Sequence, residues 1–382
     1  MIKKILIVTT RFPFPLFSGD KLRIYNISKN LSKKNKVDLI YTGSEKSFKR
    51  KIKFINKIIF IKTNKIKKIL QVFYFLLIGK PLQIGYFFSN EMKKKIKEIQ
   101  NNYDCIIFHL VRSGEFLSKD YKGIKILEMT DVVSKNYIQL YERLNVFNPI
   151  KYLYLLELKL LEMYEKKIIK LFNYVVLVSK SDLKKISYKN KVKIITNGTN
   201  LKAKKFKFNP KNNDVVFIGN INYLPNKIAC YEFINKIMPK LKEVGLNINF
   251  KIIGKTSKLL KLSLSSFKNV NVYNNVKFPE NLCKNAICGI SNLSIATGVQ
   301  NKILEYMRIG LPAIISEKCF YSLNFKKNKH ILVYKNHSQL IKQIIKLKKS
   351  KKIANKISFN SFAIIKKNYT WETSLKKYNN LI

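Results

Sequence analysis

Short β-branched apolar runs alternate along this chain with longer stretches of helical periodicity, and the alternation runs through once, breaks, and starts again. That rhythm is the signature of βα units built round a parallel sheet, and meeting it twice predicts two such sheets. In the first half the spacing predicts strands at residues 4–9, 37–41, 58–61, 105–109, 124–129, 175–178 and 192–195. Helical patterns lie between them at 21–33, 92–100 and 150–171. Residues 202–214 are basic, asparagine-rich and without period, and contain Pro210, so they read as a linker. The pattern then resumes with strands at 215–218, 248–253, 287–291, 313–316 and 330–334. Helices are expected at 227–241, at 300–309 and from about 338 to the end. The chain of 382 residues is long enough for two cores, and its 46% hydrophobic content is enough to fill both. The fold class expected is α/β, two Rossmann-like domains facing across a cleft, with ligands at the carboxyl ends of the strands.

Charge narrows the partners. The formal net charge is +53, and all but six of the 75 cations are lysine. Lysine decorating solvated helix faces accounts for part of this, but such a surface is also drawn to anionic lipid, nucleic acid or phosphorylated substrates. No paired Cys/His finger or aromatic ribonucleoprotein strand is present, so a specific nucleic-acid module is not indicated. The five cysteines form no C-x-x-C pair, which points to reduced thiols and a cytoplasmic protein. The three histidines have no metal-ligand spacing. The N-terminal apolar run is too short for a signal-peptide core and reads as the first strand. The longest greasy stretch, residues 69–79, is half the length of a membrane span and is expected to be a buried helix.

Three segments carry chemistry. Residues 298–316, GVQNKILEYMRIGLPAIIS, read as a helix with Gln300, Ile303, Leu304 and Met307 on a packing face. Gly298, Asn301, Lys302 and Glu305 fall on the opposite face. Gly310 fits a left-handed helix stop, and Pro312 prevents continuation. The glycine at the start leaves amides open to an anion, Lys302 adds charge one turn in, and Glu305 is placed to accept from a ribose diol. An amphipathic helix carrying a Lys302–Glu305 surface pair is the plain alternative. Residues 11–40 follow the first strand at once, and their Ser18-Gly19-Asp20 turn opens a helix with Lys21 and Arg23 beside it. Gly19 there permits close approach of backbone to phosphate. In VVFIGNINYLPN, residues 215–226, a strand ends at Gly219 and Asn220.

Together with LEMTDVVS (127–134), ITNGT (195–199) and YTWETSLKKY (369–378), these segments resemble family 4 retaining glycosyltransferases. The nearest likeness is to bacterial sugar transferases that open R-F-P-x-P-x-x-S-G-D-K-x-R and close G-x-Q-N-K-x-L-E-x-M-x-x-G-x-P. The resemblance runs along nearly the whole chain. It implies a GT-B fold, an acceptor-side domain of residues 1–201 and a nucleotide-sugar domain of residues 214–368. The C-terminal helix, about 369–382, would return to the first domain. It further implies that Gly219, Asn220, Gly298 and Val299 hold the nucleotide diphosphate, that Lys302 neutralises it and that Glu305 binds the ribose. Gly19 would reach the donor phosphates, with Lys21 and Arg23 on the phosphate side, and Asp131 would contact the reacting sugar. Thr297 stands where the family commonly carries the first Glu of a Glu-x₇-Glu pair. Asn220, Asn222 and Asn226 occupy the stretch where an Arg and a Lys are common, and Asp131 stands where many relatives have histidine.

The activity implied is metal-independent, retaining transfer from a nucleotide-diphosphate sugar, with no cofactor, to a glycan or lipid-linked acceptor. It would serve bacterial cell-surface polysaccharide or glycolipid synthesis. The location expected is cytoplasmic, in peripheral contact with anionic membrane. A GT-B sugar-nucleotide epimerase would consume donor without acceptor, and a basic nucleic-acid binder would ignore nucleotide sugars. Absence of any Asp-x-Asp argues against metal-held donor binding. IGKTS, residues 253–257, lacks the first glycine of a phosphate-binding loop, and the Asn197-Gly198-Thr199 sequon would go unmodified in the cytoplasm. His109 is expected to pack beside Arg112.

Overall fold

The computed structural model describes residues 1–16, 18–43, 52–186, 188–201, 204–276, 278–294, 296, 298–321 and 323–382. It divides into two units, Met1–Thr196 with Leu375–Ile382, and Asn197–Ser374. The first contains strands β1 (Lys4–Thr9), β2 (Lys36–Gly43), β3 (Lys57–Lys62), β4 (Cys105–His109), β5 (Ile124–Thr130), β6 (Tyr174–Leu177) and β7 (Val192–Ile194). Its helices are α1 (Gly19–Leu31), α2 (Lys65–Leu77), α3 (Leu82–Phe87), α4 (Asn90–Ile99), α5 (Val133–Tyr141) and α6 (Pro149–Ile169). The strands form one sheet in the order β3-β2-β1-β4-β5-β6-β7, every pairing parallel. A parallel sheet is covered on both faces, so its central strands are apolar throughout rather than alternating. Ile5, Leu6, Ile7 and Val8 of β1 are accordingly all buried.

The second unit holds β8 (Asp214–Ile218), β9 (Asn249–Ile253), β10 (Val270–Tyr273), β11 (Cys288–Ser291), β12 (Ala313–Ser316) and β13 (Leu332–Tyr334). Its helices are α7 (Leu224–Glu232), α8 (Met238–Glu243), α9 (Lys258–Ser265), α10 (Glu280–Cys283), α11 (Asn301–Arg308), α12 (Glu317–Phe320), α13 (His337–Lys349) and α14 (Lys351–Asn368). The last, α15 (Trp371–Leu375), carries the chain back to the first unit. The strand order is β10-β9-β8-β11-β12-β13, again parallel. In both units the strand order reverses beside the first strand, between β1 and β4 and between β8 and β11. Such a switch point opens a crevice at the carboxyl ends of the strands, where open α/β sheets bind ligands.

Three expectations change. Residues 69–79 do not form a buried helix: in α2 only Phe75 is buried, and the remaining apolar side chains are half-buried or exposed. Strand β10 was not among the expected strands, because its alternation of buried and exposed residues over four positions is too brief to read. The segment expected to be a linker is anchored where it is described. The amides of Lys205 and Phe206 donate to the Ile309 carbonyl, that of Lys207 donates to Lys284, and Phe206 is buried.

Arg23 of α1 fixes the helix to the first sheet. Its side chain is wholly buried, and Nε donates to Glu128 Oε1 at 2.8 Å. Nη2 donates to Glu128 Oε2 at 3.1 Å and to the Ile195 carbonyl at 2.9 Å. One guanidinium therefore ties α1 to β5 and to the chain just past β7. A buried pair left with one partner loses about 3–5 kcal/mol, whereas replacing both members by apolar groups is often close to neutral. Glu128→Gln should therefore lower unfolding free energy by about that amount in urea titration. The double variant Arg23→Met/Glu128→Leu should recover most of it.

Candidate functional site

The second unit's switch point is closed by Tyr306 of α11. Its hydroxyl accepts from the Ile218 amide at 2.8 Å and donates to the Ile290 carbonyl at 3.0 Å. It thereby bridges β8 and β11 where the strands diverge. Its ring lies on Gly289, where an added Cβ would come 2.5 Å from the ring atoms, so only glycine fits. This wedge presents α11 to the carboxyl ends of β8 and β9.

There Gly219 and Asn220 follow β8. The Gly219 amide donates to the Ile253 carbonyl at 2.9 Å. Gly254, with φ of +142°, passes so close that any side chain on it would overlap the Gly219 carbonyl. Two glycines thus let the ends of β8 and β9 close into a tight backbone rim. Asn226 of α7 sits beneath it, and its Nδ2 donates to the Asn220 carbonyl at 2.8 Å. Its Oδ1 accepts from Lys302 Nζ at 2.6 Å. Among the described residues, Asn220 Oδ1 is buried and has no hydrogen-bond partner.

Lys302 differs from the expected open-face cation. It is buried, with Nζ 4.1 Å from the centroid of the Phe217 ring, and burial lowers its pKa to about 8. Helix α11 is enclosed on most of its circumference, since Lys302, Tyr306 and Arg308 are buried along with Ile303, Leu304 and Met307. The residues left half-buried are Asn301 and Glu305. Gly298 precedes the helix at φ of +58°, Val299 is buried, and Gln300 is the N-cap without a side-chain cap bond. Thr297 lies outside the described residues.

Glu305 pairs with Arg308, not with Lys302. Arg308 Nε donates to Glu305 Oε2 at 2.6 Å while its Nη2 reaches Glu280 at 3.2 Å. Thr199 Oγ1 donates to Glu305 Oε1 at 3.0 Å, and Asn197 Nδ2 donates to Asn301 Oδ1 at 2.8 Å. Residues 197–199 therefore lie along the half-buried side of α11. They are held there by the Thr199 amide donating to Tyr369 and by Gly198, which packs on the Trp371 backbone where no Cβ would fit. Sequence reading assigned no contact to Asn197, Thr199, Asn226, Tyr306 or Arg308. The glycine inside ITNGT and the asparagine one helical turn after Asn222 were the available signals.

The first unit assembles a second polar cluster at the ends of β1 and β4. Gly19 is the first residue of α1, and Arg11 Nη2 pairs with Asp20 at 2.7 Å. Against the penalty of burial, Arg11 and the Ser18 hydroxyl hold the Asp20 carboxyl below its usual pKa. Lys21 Nζ donates to the Phe14 carbonyl at 3.0 Å. Arg23, expected as a cation beside the turn, is instead committed to Glu128, because four residues past Gly19 the helix faces the sheet. Burial drives the His109 pKa down to about 3, leaving a neutral ring, and neither ring nitrogen has a partner among the described residues. Arg112 Nε donates to Thr10 Oγ1 at 2.8 Å, and its guanidinium stacks 4.1 Å from the Phe87 centroid. Asp131 follows Thr130, whose φ is +71°, and accepts from Asn136 Nδ2 at 3.4 Å. Among the described residues no group of three His, Cys, Asp or Glu could hold a metal ion.

Residues 212–350 match the family model of glycosyl transferases group 1. The match takes in Gly219, Asn220, Asn226, Gly298, Lys302, Glu305 and Tyr306. No curated protein is a significant match to the chain. Among solved structures the chain is similar to sucrose-phosphate synthase from Thermosynechococcus elongatus, at 12% identity and a TM-score of 0.73, over 99% of this chain and 98% of that one. It is similar to Anabaena HepE in complex with UDP and glucose, at 12% identity and 0.70, over 99% and 98%. A glycosyltransferase from Rickettsia africae matches at 16% identity and 0.66, over 100% and 97%. At these identities the likeness is one of fold, and that fold is GT-B.

Tyr306→Phe would keep the ring against Gly289 but leave the Ile218 amide and the Ile290 carbonyl unpaired. Each buried group so stranded costs about 1–3 kcal/mol. A lowered urea midpoint with an unchanged slope is expected. Equal midpoints for wild type and variant would show that the hydroxyl bridge contributes nothing.

Proposed function

We propose that this protein is a retaining glycosyltransferase that binds a nucleotide-diphosphate sugar on its second unit and passes the sugar to a glycan or lipid-linked acceptor held by the first. The observation that carries the reading is the relay from Lys302 through Asn226 to the Gly219–Asn220 rim, inside the glycosyl transferases group 1 match. A lysine that is charged at pH 7 under a glycine-lined strand end is suited to a diphosphate, and the α11 amides ahead of Ile303, which donates to the Gln300 carbonyl, lie where a helix offers no intrahelical acceptor. As the sugar–phosphate bond breaks, charge grows on the departing diphosphate, where these fixed donors stabilise it. The unpartnered Asn220 Oδ1 is free to accept from a donor hydroxyl. Glu305, half-buried, is assigned to the ribose and Asp131 to the reacting sugar. Retention, metal independence, absence of a cofactor, and work on cell-surface glycans at the cytoplasmic face of a membrane complete the proposal. The family resemblance and the missing Asp-x-Asp support these finer assignments.

Screening UDP- and GDP-sugars by thermal shift with chelator present, then measuring product mass and anomeric configuration, tests the reading. Glu305→Gln is the sharpest variant. Loss of a charge-assisted hydrogen bond to a ribose hydroxyl is worth about 1.5–3 kcal/mol, a drop of about ten- to a hundredfold in nucleotide affinity by calorimetry. Were Glu305 only the partner of Arg308 and Thr199, affinity would not move and the substitution would show in stability alone.

Lys302 adds a pH signature. Burial lowers its pKa to about 8, so the ammonium charge is present at pH 7 and lost as pH rises past 8. The diphosphate of a nucleotide sugar has no proton to lose between about pH 7 and 8.5, a range that also lies below ionisation of a uracil or guanine ring N–H. Donor affinity should therefore decline from about pH 7 to 8.5 in the wild type and be flat in Lys302→Met. A flat wild-type profile would detach Lys302 from the phosphates.

A further inference from the structure

Helix α2 carries an apolar ridge that the rest of the first unit leaves uncovered. Ile66, Ile69, Leu70, Phe73 and Leu77 follow the i, i+3, i+4, i+7, i+11 rhythm of a single helix face, and each is between 55% and 86% exposed. At about 100° per residue Phe75 falls opposite them, and Phe75 is the buried residue of the helix. The same count puts Lys65 on one flank of the ridge and Lys67 on the other, both exposed. Inward of Lys67 opens a cavity of about 400 Å³ whose lining includes Lys62, Lys67, Lys68 and Glu91. Lys67 stands 3.7 Å from the Glu91 carboxylate, and Lys68 Nζ lies 5.3 Å from the centroid of Tyr86.

We propose that α2 is an interfacial membrane helix, lying in the plane of an anionic bilayer with its ridge sunk among the acyl chains and its lysines at the headgroups. The ridge is convex, so a protein partner would need a matching groove, whereas a bilayer needs none. Thirteen residues span about 20 Å, too short to cross about 30 Å of hydrocarbon, and no described helix is long and apolar enough to do so. An apolar face flanked by lysines is the pattern of helices that bind by partial insertion together with attraction to anionic lipid. The large net charge of +53 favours the same partner. This deepens the membrane part of the proposed function by naming the element and adding insertion to electrostatic adsorption.

The test is sedimentation with vesicles of phosphatidylcholine alone and with three parts in ten replaced by phosphatidylglycerol. Wild type should bind the anionic vesicles and bind the neutral ones weakly. Phe73→Glu/Leu77→Glu should weaken binding at least tenfold. Lys65→Gln/Lys67→Gln should weaken it roughly fivefold per lysine. All substituted residues are exposed, so melting temperature and nucleotide affinity should stay at wild-type values, which separates this proposal from the transfer reading. Leu70→Trp supplies a direct readout: its emission should shift to the blue and be quenched by brominated acyl chains, over the constant signal of buried Trp371. Undiminished binding by the glutamate variant, or an unshifted tryptophan, would overturn the proposal. So would a wild-type dimer that the glutamate substitutions dissociate while vesicle binding is unchanged, since a second copy would then cover the ridge.

Discussion

The site in the second unit depends on one hydroxyl. Where β8 and β11 part, a sheet left to itself would expose an amide and a carbonyl to an apolar interior, each costly to leave unpaired. Tyr306 answers both with a single oxygen, and Gly289 makes room for the ring that delivers it. Because that ring is wedged, the rotation of α11 about its own axis is settled. The rotation then decides everything along the helix: Lys302 points under the Gly219–Asn220 rim, and Glu305 points toward Thr199 and Arg308. A helix turned by one residue would bury Glu305 and swing Lys302 away from Asn226.

The two units share a topology and furnish it differently. In the second, the strand ends are trimmed to glycine and a single lysine is sequestered beneath them. In the first, the equivalent crevice is crowded with Arg11, Asp20, His109 and Arg112, and the backbone there is strained. Leu110 takes φ of +68° and Thr130 +71°, positions that side-chain-bearing residues rarely adopt. Strain of this kind persists where surrounding structure over-determines it, and it clusters at functional sites. Leu110 follows directly on β4 and Thr130 is the last residue of β5, and they set where Arg112 and Asp131 leave the sheet.

Legibility in the sequence followed the physics of each element. Strands buried on both faces read as uninterrupted apolar runs and were recognisable, whereas β10, with alternate residues exposed over four positions, was not. Gly219 was readable because a glycine after a strand has few other uses, whereas Gly254, in a run set aside as an incomplete phosphate loop, and Gly289, inside β11, were not, because their need for glycine comes from the distant Gly219 carbonyl and Tyr306 ring. The orientation of Lys302 was not, because periodicity assigns faces on the assumption that one side of a helix meets water, and α11 is enclosed nearly all round. Arg23 shows the same difficulty from the other side: a cation beside a glycine turn suggests phosphate, and nothing local announces that Glu128, a hundred residues on, waits for it. The greasy run in α2 misled because hydrophobicity signals contact with something apolar without saying whether that is the protein's own core.

The passage of α15 back into the first unit has a consequence for how the molecule is made. Leu375, Tyr378 and Leu381 are buried there, and the Asn30 side chain donates to the Leu375 carbonyl. On the ribosome, the first 196 residues emerge early, but the side chains that fill this part of their core are synthesised only after the entire second unit. The first unit must therefore wait, partly formed, while the second is translated, and this part of its core is completed only by residues 375–382. A nascent chain arrested before residue 375 would display that gap, and a quality-control system could read the gap as a mark of incompletion.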